Sequence, residues 1–311
     1  MEQSESFAFY GTSPFSAAIL DGLIKAGYAP QLVVTTLAKP AGRDLLTEPT
    51  AVAKKARALK LNVIEVSSLR ATDIQSQIAS YNCSYAILAA FGKIVPESIL
   101  KSYAKGIINV HPSLLPKYRG PSPIQSAMLN GDIETGVTLI ILDNEVDHGP
   151  ILAQRTISID ITDTADSLSN KLEVLSIELL LATLPKYLSG EISPIPQVHK
   201  LANFTKIISR DDGLADFSAS ATNLELKLKA YQPWPGLWTK WDGRRLKFLR
   251  VRVIKSESNQ PGVTRLSNEG NLLIDCSTNT LEILNVQIDG GKPMSCADFI
   301  NGHRAIVGYK F

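Results

Sequence analysis

Asn109 and His111 stand two residues apart at the end of an apolar run, within GIINVHPSLLPKYRGPSPIQ, residues 106–125. Side chains alternate along a strand, so residues two apart share a face and both polar heads address one spot. Downstream, the loop DNEVDHG supplies Asp143, Glu145, Asp147 and His148. An amide donor, an imidazole and a carboxylate together suit acyl transfer. The amide stabilises a developing oxyanion, the imidazole moves a proton, and the carboxylate orients the ring and stabilises its charged form. No Ser or Cys adjoins the His, so direct transfer without a covalent intermediate is the simpler reading. A metal set of His111, Asp147 and His148 has no recognised ligand spacing. Spacing alone leaves another reading open, in which Asn109 caps a strand end and His111 is a satisfied surface histidine.

Other chemistries lack their signatures. There is no phosphate-binding G-x-x-x-x-G-K-[ST], and YGTSPF after the first strand is not a dinucleotide fingerprint. HExxH and G-x-S-x-G are missing as well. Three cysteines without CxxC spacing predict neither a disulfide framework nor a zinc site, and fit a reducing compartment. The acidic start MEQSES is unlike a signal or transit peptide, and no apolar run matches a bilayer span. The expectation is a cytoplasmic protein with no membrane partner. With 44% hydrophobic and 20% charged residues and a net charge of +2, the composition is that of a globular protein without a global field for nucleic acid.

The elements that must position these residues follow from periodicity. FAFYG, PQLVVTT, NVIEV, SYAILAA and GIINV read as strands separated by helical patterns, which implies a parallel sheet covered on both faces. TGVTLIILD and PILAQRTISI read as an antiparallel edge, and a helix is predicted from about Thr164 to Leu188. Ligands of open α/β sheets sit outside the carboxyl ends of the strands, which places Asn109, His111 and the 143–148 loop at such ends. The predicted fold is α/β: a Rossmann-like, doubly wound, mostly parallel sheet with a second, smaller β-barrel (OB-like) C-terminal domain. The expected boundaries are 1–189 for the first domain, 190–209 for a Ser/Gly/Pro-bearing linker and 210–311 for the second. There, KWDGRRLKFLRVRVIK carries Lys240, Arg244, Arg245, Lys247, Arg250, Arg252 and Lys255 against Asp242. Alternation in a strand puts such charges on one face, either a solvated surface or a stripe for phosphates. Trp234, Trp238 and Trp241 are expected in the core rather than under bases.

NVHPSLLPKYRGPSPIQ, with GDIETGVTLIILDNEVDHGPIL after it, resembles the signature of the folate-dependent formyltransferases. The similarity runs along nearly the whole chain, through FYGTSPFSAAILDGL, LAKPAGRD and AAFGKIVP. In the second domain, DFSASATNLELKLKAYQPWPGLWT and GGKPMSCADFINGHR resemble the branch that acts on methionyl-tRNA. The resemblance implies formyl transfer from 10-formyltetrahydrofolate to the α-amine of methionyl initiator tRNA in translation initiation, by a monomer without a metal. It places the catalytic set on Asn109, His111 and Asp147, and the folate segment on Ser113, Leu114, Leu115 and Pro116. FGKIVP (91–96) matches the loop whose backbone meets the pterin. Arg43 falls in a loop that enters the tRNA acceptor end, and Arg244 and Arg245 are the expected phosphate contacts. Asp44 and Glu48 intrude where the family carries Gly and basic residues, and Phe91 stands where it often has Tyr. An amino-sugar formyltransferase or a formyl-folate hydrolase needs no QPWPGLW domain. A non-catalytic RNA-binding protein needs no Asn109, His111 and Asp147.

Overall fold

The apolar runs at the front of the chain assemble into one seven-stranded sheet in the computed structural model, which describes residues 5–41, 46–257 and 260–311. In chain order the elements are β1 (Phe7–Gly11), α1 (Pro14–Lys25), β2 (Leu32–Thr36), β3 (Lys39–Ala41), β4 (Leu46–Glu48) and α2 (Ala51–Ala58). Then come β5 (Val63–Val66), α3 (Thr72–Ala79), β6 (Tyr85–Ala89), α4 (Glu97–Leu100) and β7 (Ile107–His111). They are followed by α5 (Pro123–Leu129), β8 (Glu134–Ile141), β9 (Ile151–Ser158) and α6 (Ala165–Leu188).

The sheet order is β5-β2-β1-β6-β7-β8-β9. Its first five strands pair in parallel, and β8 and β9 add antiparallel to β7. β1, β2, β6 and β7 are buried along their whole length, as continuous apolar runs require in a sheet covered on both faces. β9 alternates less and is largely exposed, as befits an edge. Caps start the helices: Ser13 Oγ accepts from Ser16 N at 3.2 Å ahead of Pro14, and Thr50 Oγ1 accepts from Ala53 N at 3.0 Å. No helix among the described residues is long and apolar enough to cross a membrane.

The chain divides into two compact units. The first comprises Met1–Pro123, Glu134–Ser158 and Ser169–Lys206, and the second Ile124–Ile133, Ile159–Leu168 and Ile207–Phe311. The linker-like composition of 190–209 does not leave that stretch loose. Ile195 exchanges backbone hydrogen bonds with Ile151 at 2.7 and 2.8 Å, Arg119 N donates to Asn203 O at 3.0 Å, and Thr205 N donates to Arg119 O at 2.8 Å. Composition reports how readily a backbone bends. It does not report which distant carbonyls and amides it meets.

The second unit holds α7 (Ala221–Tyr231), β10 (Leu237–Trp241), β11 (Arg244–Ile254), β12 (Thr264–Leu266), β13 (Leu272–Asp275), β14 (Thr280–Ile288), β15 (Met294–Ser295) and α8 (Cys296–Gly302). Its antiparallel sheet runs β10-β11-β14-β13-β12, with β15 on β14. Leu224 and Leu228 of α7 and Phe299 of α8 pack with Trp241, Leu246, Phe248 and Ile283 into one core. The basic run of β11 does not keep one parity, since Arg245 and Lys247 are odd and Arg250 and Arg252 even. Shifts of register against β14 between Phe248 and Val251 resolve this. Leu246 and Phe248 face the core before the irregularity, and Val251 and Val253 pack against it afterwards. The bulge therefore keeps all four basic residues on the other face. Trp238 and Trp241 are buried as expected, whereas Trp234 is exposed.

Candidate active site

β7 carries Asn109 opposite Ile140 and His111 opposite Thr138 of β8, both with side chains almost fully buried. Because β8 is antiparallel, its carboxyl end lies opposite Ile108, away from the carboxyl end of β7. The loop to β9 must return along the flank of β7 to bring its acid into reach. It does so through tight turns. Gly149 passes so close to β8 that a Cβ there would lie 1.8 Å from Ile141 O. Asp147 adopts the left-handed region at φ 49°, where a non-glycine residue carries backbone strain.

The carboxylate of Asp147 is the hub. Its Oδ1 accepts from Asn109 Nδ2 at 3.1 Å, and its Oδ2 accepts from Gly120 N at 2.7 Å and lies 3.5 Å from His111 Nδ1. His111 Nε2 is 2.9 Å from Tyr118 O, and a carbonyl can only accept, so Nε2 carries hydrogen. Nδ1 is the ring nitrogen left to serve a ligand, since 3.5 Å exceeds a normal hydrogen bond. An Asn amide has two hydrogens, and one goes to Asp147, so the second is free for an oxyanion. The structure thus brings Asn109, His111 and Asp147 together. Tyr118 and Gly120, which the sequence reading missed, complete their setting.

The segment Ser113–Pro116 is clamped against β8 and β9. Ser113 is fully buried and its Oγ donates to Lys117 O at 2.7 Å. Leu115 N donates to Thr138 Oγ1 at 3.1 Å, and Leu115 O accepts from Gln154 Nε2 at 2.9 Å. Gly136 leaves room for Leu114, whose Cδ2 would lie 2.6 Å from a Cβ there. The polar groups of Ser113 and Leu115 are spent within the fold, so these residues form a wall rather than a set of free donors. Phe91 is buried edge-on to Tyr10, with centroids 5.4 Å apart. A hydroxyl at 91 is not needed in that apolar setting. Burial, first, then the nearby Tyr103 phenol, with which it shares a 2.8 Å hydrogen bond, push the Tyr10 hydroxyl far above the usual phenol range. Val95 and Leu142, from the loops after β6 and β8, pack on the cluster that holds Phe91. Ile94 and Val146, in the same two loops, are exposed, apolar residues of the kind a flat heteroaromatic ring covers.

A further layer lies behind Asp147. Gln197 Nε2 donates to Asp147 O at 2.9 Å and to Gly149 O at 2.7 Å, while its Oε1 accepts from Arg119 Nη2 at 2.7 Å and from Nε at 3.2 Å. Arg119 Nη2 also reaches His199 Nδ1 at 2.9 Å. His148 stacks on His199 with centroids 4.0 Å apart, and its Nδ1 pairs with Asp143 at 2.6 Å rather than with Asn109, His111 or Asp147. Among the described residues no group of three or more His, Cys, Asp and Glu is arranged to hold a metal ion.

Of the expected tRNA contacts, Arg43 lies outside the described residues, as does Asp44. Glu48 is paired with Lys54 at 2.6 Å, and that contact lowers its carboxyl below the usual range. In the second unit, Arg244 is exposed 3.7 Å from Asp242, and Arg245 stacks on Trp238.

Residues 6–184 match the family described as formyl transferase, and residues 207–304 match the formyl transferase C-terminal domain. The chain belongs to the formyl transferase family. It is 36% identical over 299 residues to a methionyl-tRNA formyltransferase of Chloroflexus aurantiacus, covering 96% of both chains. Identity to a methionyl-tRNA formyltransferase of Enterococcus faecalis is 36% over 296 residues, covering 94% of this chain and 95% of that one. Among solved structures, HypX from Aquifex aeolicus matches with a TM-score of 0.65 at 18% identity, a likeness of fold. That match covers 98% of this chain and 50% of HypX. A phosphoribosylglycinamide formyltransferase from Bacillus halodurans matches at 27% identity and a TM-score of 0.51, over 60% of this chain and 97% of its own. Asn109, His111 and Asp147 all fall in the segment matched by the formyl transferase family.

Proposed function

We propose that this chain transfers the formyl group of 10-formyltetrahydrofolate to the α-amine of methionyl initiator tRNA, as a cytoplasmic monomer. The carrying observation is the convergence of Asn109 and His111 on the Asp147 carboxylate, in a chain that aligns end to end with methionyl-tRNA formyltransferases. The folate substrate fits the exposed Ile94 and Val146, which suit the pterin face, and the wall formed by Ser113–Pro116. Arg43, Arg244 and Arg245 are the proposed tRNA contacts.

In this reading the neutral amine attacks the formyl carbon, forming a C–N bond and placing negative charge on the formyl oxygen. The second amide hydrogen of Asn109 and Nδ1–H of protonated His111 stabilise that oxygen. Asp147 holds the Asn109 amide, and its carboxylate, 3.5 Å from His111 Nδ1, balances the charge of the ring. The bond from the formyl carbon to folate N10 then breaks, and the proton shed by the amine ends on N10. His111 is the residue placed to move it. An amide, an imidazole and a carboxylate fixed in advance need no rearrangement at the moment of reaction, which is where such sites gain most.

The test is a formylation assay with initiator methionyl-tRNA, elongator methionyl-tRNA and free methionine as acceptors and 10-formyltetrahydrofolate as donor. Transfer to the initiator tRNA well above the other two is expected. Release of formate with no acylated acceptor overturns the reading.

A further inference from the structure

We propose that Gln197 is a positioning residue for Asp147, an inference that rests on the function proposed above. The orientation of its amide follows from chemistry alone. Arg119 has only donors, so the side of Gln197 that meets it must be Oε1, at 2.7 and 3.2 Å. The NH2 group is thereby turned to the other side, where it meets two carbonyls, Asp147 O at 2.9 Å and Gly149 O at 2.7 Å. Both hydrogens and the oxygen of the amide are used. Gln197 and Arg119 are almost wholly buried, so water does not readily replace these bonds.

What the bonds hold is the least relaxed turn of the site. Asp147 sits at φ 49° and Gly149 has no room for a side chain against Ile141 O. The carboxylate projects from this turn toward Asn109, Gly120 and His111. Pinning the carbonyls on either side of residue 148 fixes where the carboxylate stands, and so the direction of the free Asn109 hydrogen. Gln197 touches no reacting atom in this arrangement. It acts through Asp147, with Arg119 setting the face that its amide presents. Misplacement of a reacting group by about 1 Å is enough to cost about 100-fold in rate.

Two substitutions separate position from stability. Gln197→Met keeps the volume and removes every polar bond. Gln197→Glu keeps an acceptor for Arg119, as a charge-assisted pair, while removing both donors to the carbonyls. Steady-state formylation of initiator methionyl-tRNA is measured per folded molecule, with the folded fraction read by circular dichroism at the assay temperature. In both variants kcat is expected to fall by about 10- to 100-fold, with KM for folate and for tRNA within about threefold of wild type. Unchanged kcat in a folded variant, or a loss carried by KM, overturns the inference and leaves the proposed function standing. Failure of both variants to fold also overturns it, since Gln197 is then a residue of the fold. A wild-type protein that does not formylate methionyl-tRNA overturns the proposed function first.

Discussion

The guanidinium of Arg245 lies over the indole of Trp238, its Cζ 4.2 Å from the ring centroid. The indole is itself held, because its Nε1–H donates to Arg210 O at 3.1 Å. A long cationic side chain that would otherwise sample many rotamers is thus presented in one orientation. Arg252, on the same strand and the same face, is engaged differently. It is 2.6 Å from Glu282, whose carboxylate is buried, and 3.5 Å from Glu269. One stripe of basic residues therefore contains a preset charge and a charge already answered.

Arg245→Ala is expected to reduce the slope of log affinity for tRNA against log salt by roughly one unit, the share of one lost phosphate contact. Arg252→Ala is expected to leave that slope near the wild-type value. It lowers the thermal midpoint instead, because Glu282 keeps only its 3.0 Å bond from Asn271. Titrations by fluorescence anisotropy at several salt concentrations, with thermal melts alongside, decide the matter. Equal slope losses in the two variants would show that pairing with Glu282 does not withdraw Arg252 from tRNA.

Removing the amide at the centre of the site has a separable signature. Asn109→Ala is expected to lower turnover by about 10²- to 10³-fold, the usual range for one oxyanion donor, while folate affinity changes far less. Kinetics on initiator tRNA beside a folate-binding titration measure both. Normal turnover would remove Asn109 from the role given to it here.

The left-handed backbone of Asp147 makes a prediction about stability that opposes the one about activity. Asp147→Ala and Asp147→Gly both lose the carboxylate and should be similarly inactive. Gly tolerates φ 49° and Ala does not, so the Gly variant is expected to be the more stable by about 1 kcal/mol. Denaturant melts of the pair test this, and an Ala variant as stable as the Gly variant would mean the turn relaxes when the side chain is cut back.

How much of this is legible beforehand depends on the range of the interaction. Asn109 and His111 share a face because a strand alternates every two residues, a rule read locally. The nearly continuous apolar strands announce a sheet covered on both sides in the same way. Asp147 is legible only as a candidate, since its reach depends on β8 running antiparallel and its loop doubling back. Gln197 carries no local mark at all. It stands in a Pro-bearing stretch with the composition of a linker, and its partners lie 48 to 78 residues away. The basic stripe misleads in a subtler way, because strict alternation sends Arg245 and Arg250 to opposite faces.

Thiol chemistry offers a check on the second unit that needs no substrate. Burial pushes both Cys276 and Cys296 up to about 11, so at pH 8 only about one in a thousand of each is thiolate, and neither is exposed. Cys83 is also raised by burial but is half-buried. Alkylation of the native protein is expected to label Cys83 first and the other two only after unfolding, as peptide mass spectrometry reports. Early labelling of Cys276 or Cys296 would mean the second core opens well below the denaturation midpoint.

The bulge in β11 sets the phase of that strand. Deleting Leu249 would make Arg250 follow Phe248 directly. Strict alternation, with Arg245 and Lys247 outward, then keeps Arg250 and Arg252 outward and Val251 and Val253 inward. The cations stay at the surface, the valines stay against the core, and Arg252 stays beside Glu282. Keeping Leu249 but forcing it into regular alternation has the opposite outcome, with two arginines turned inward and two valines turned to solvent. The surplus residue is harmless because the bulge absorbs it, and a frame-preserving codon loss at this point would act as a simplification rather than an inversion.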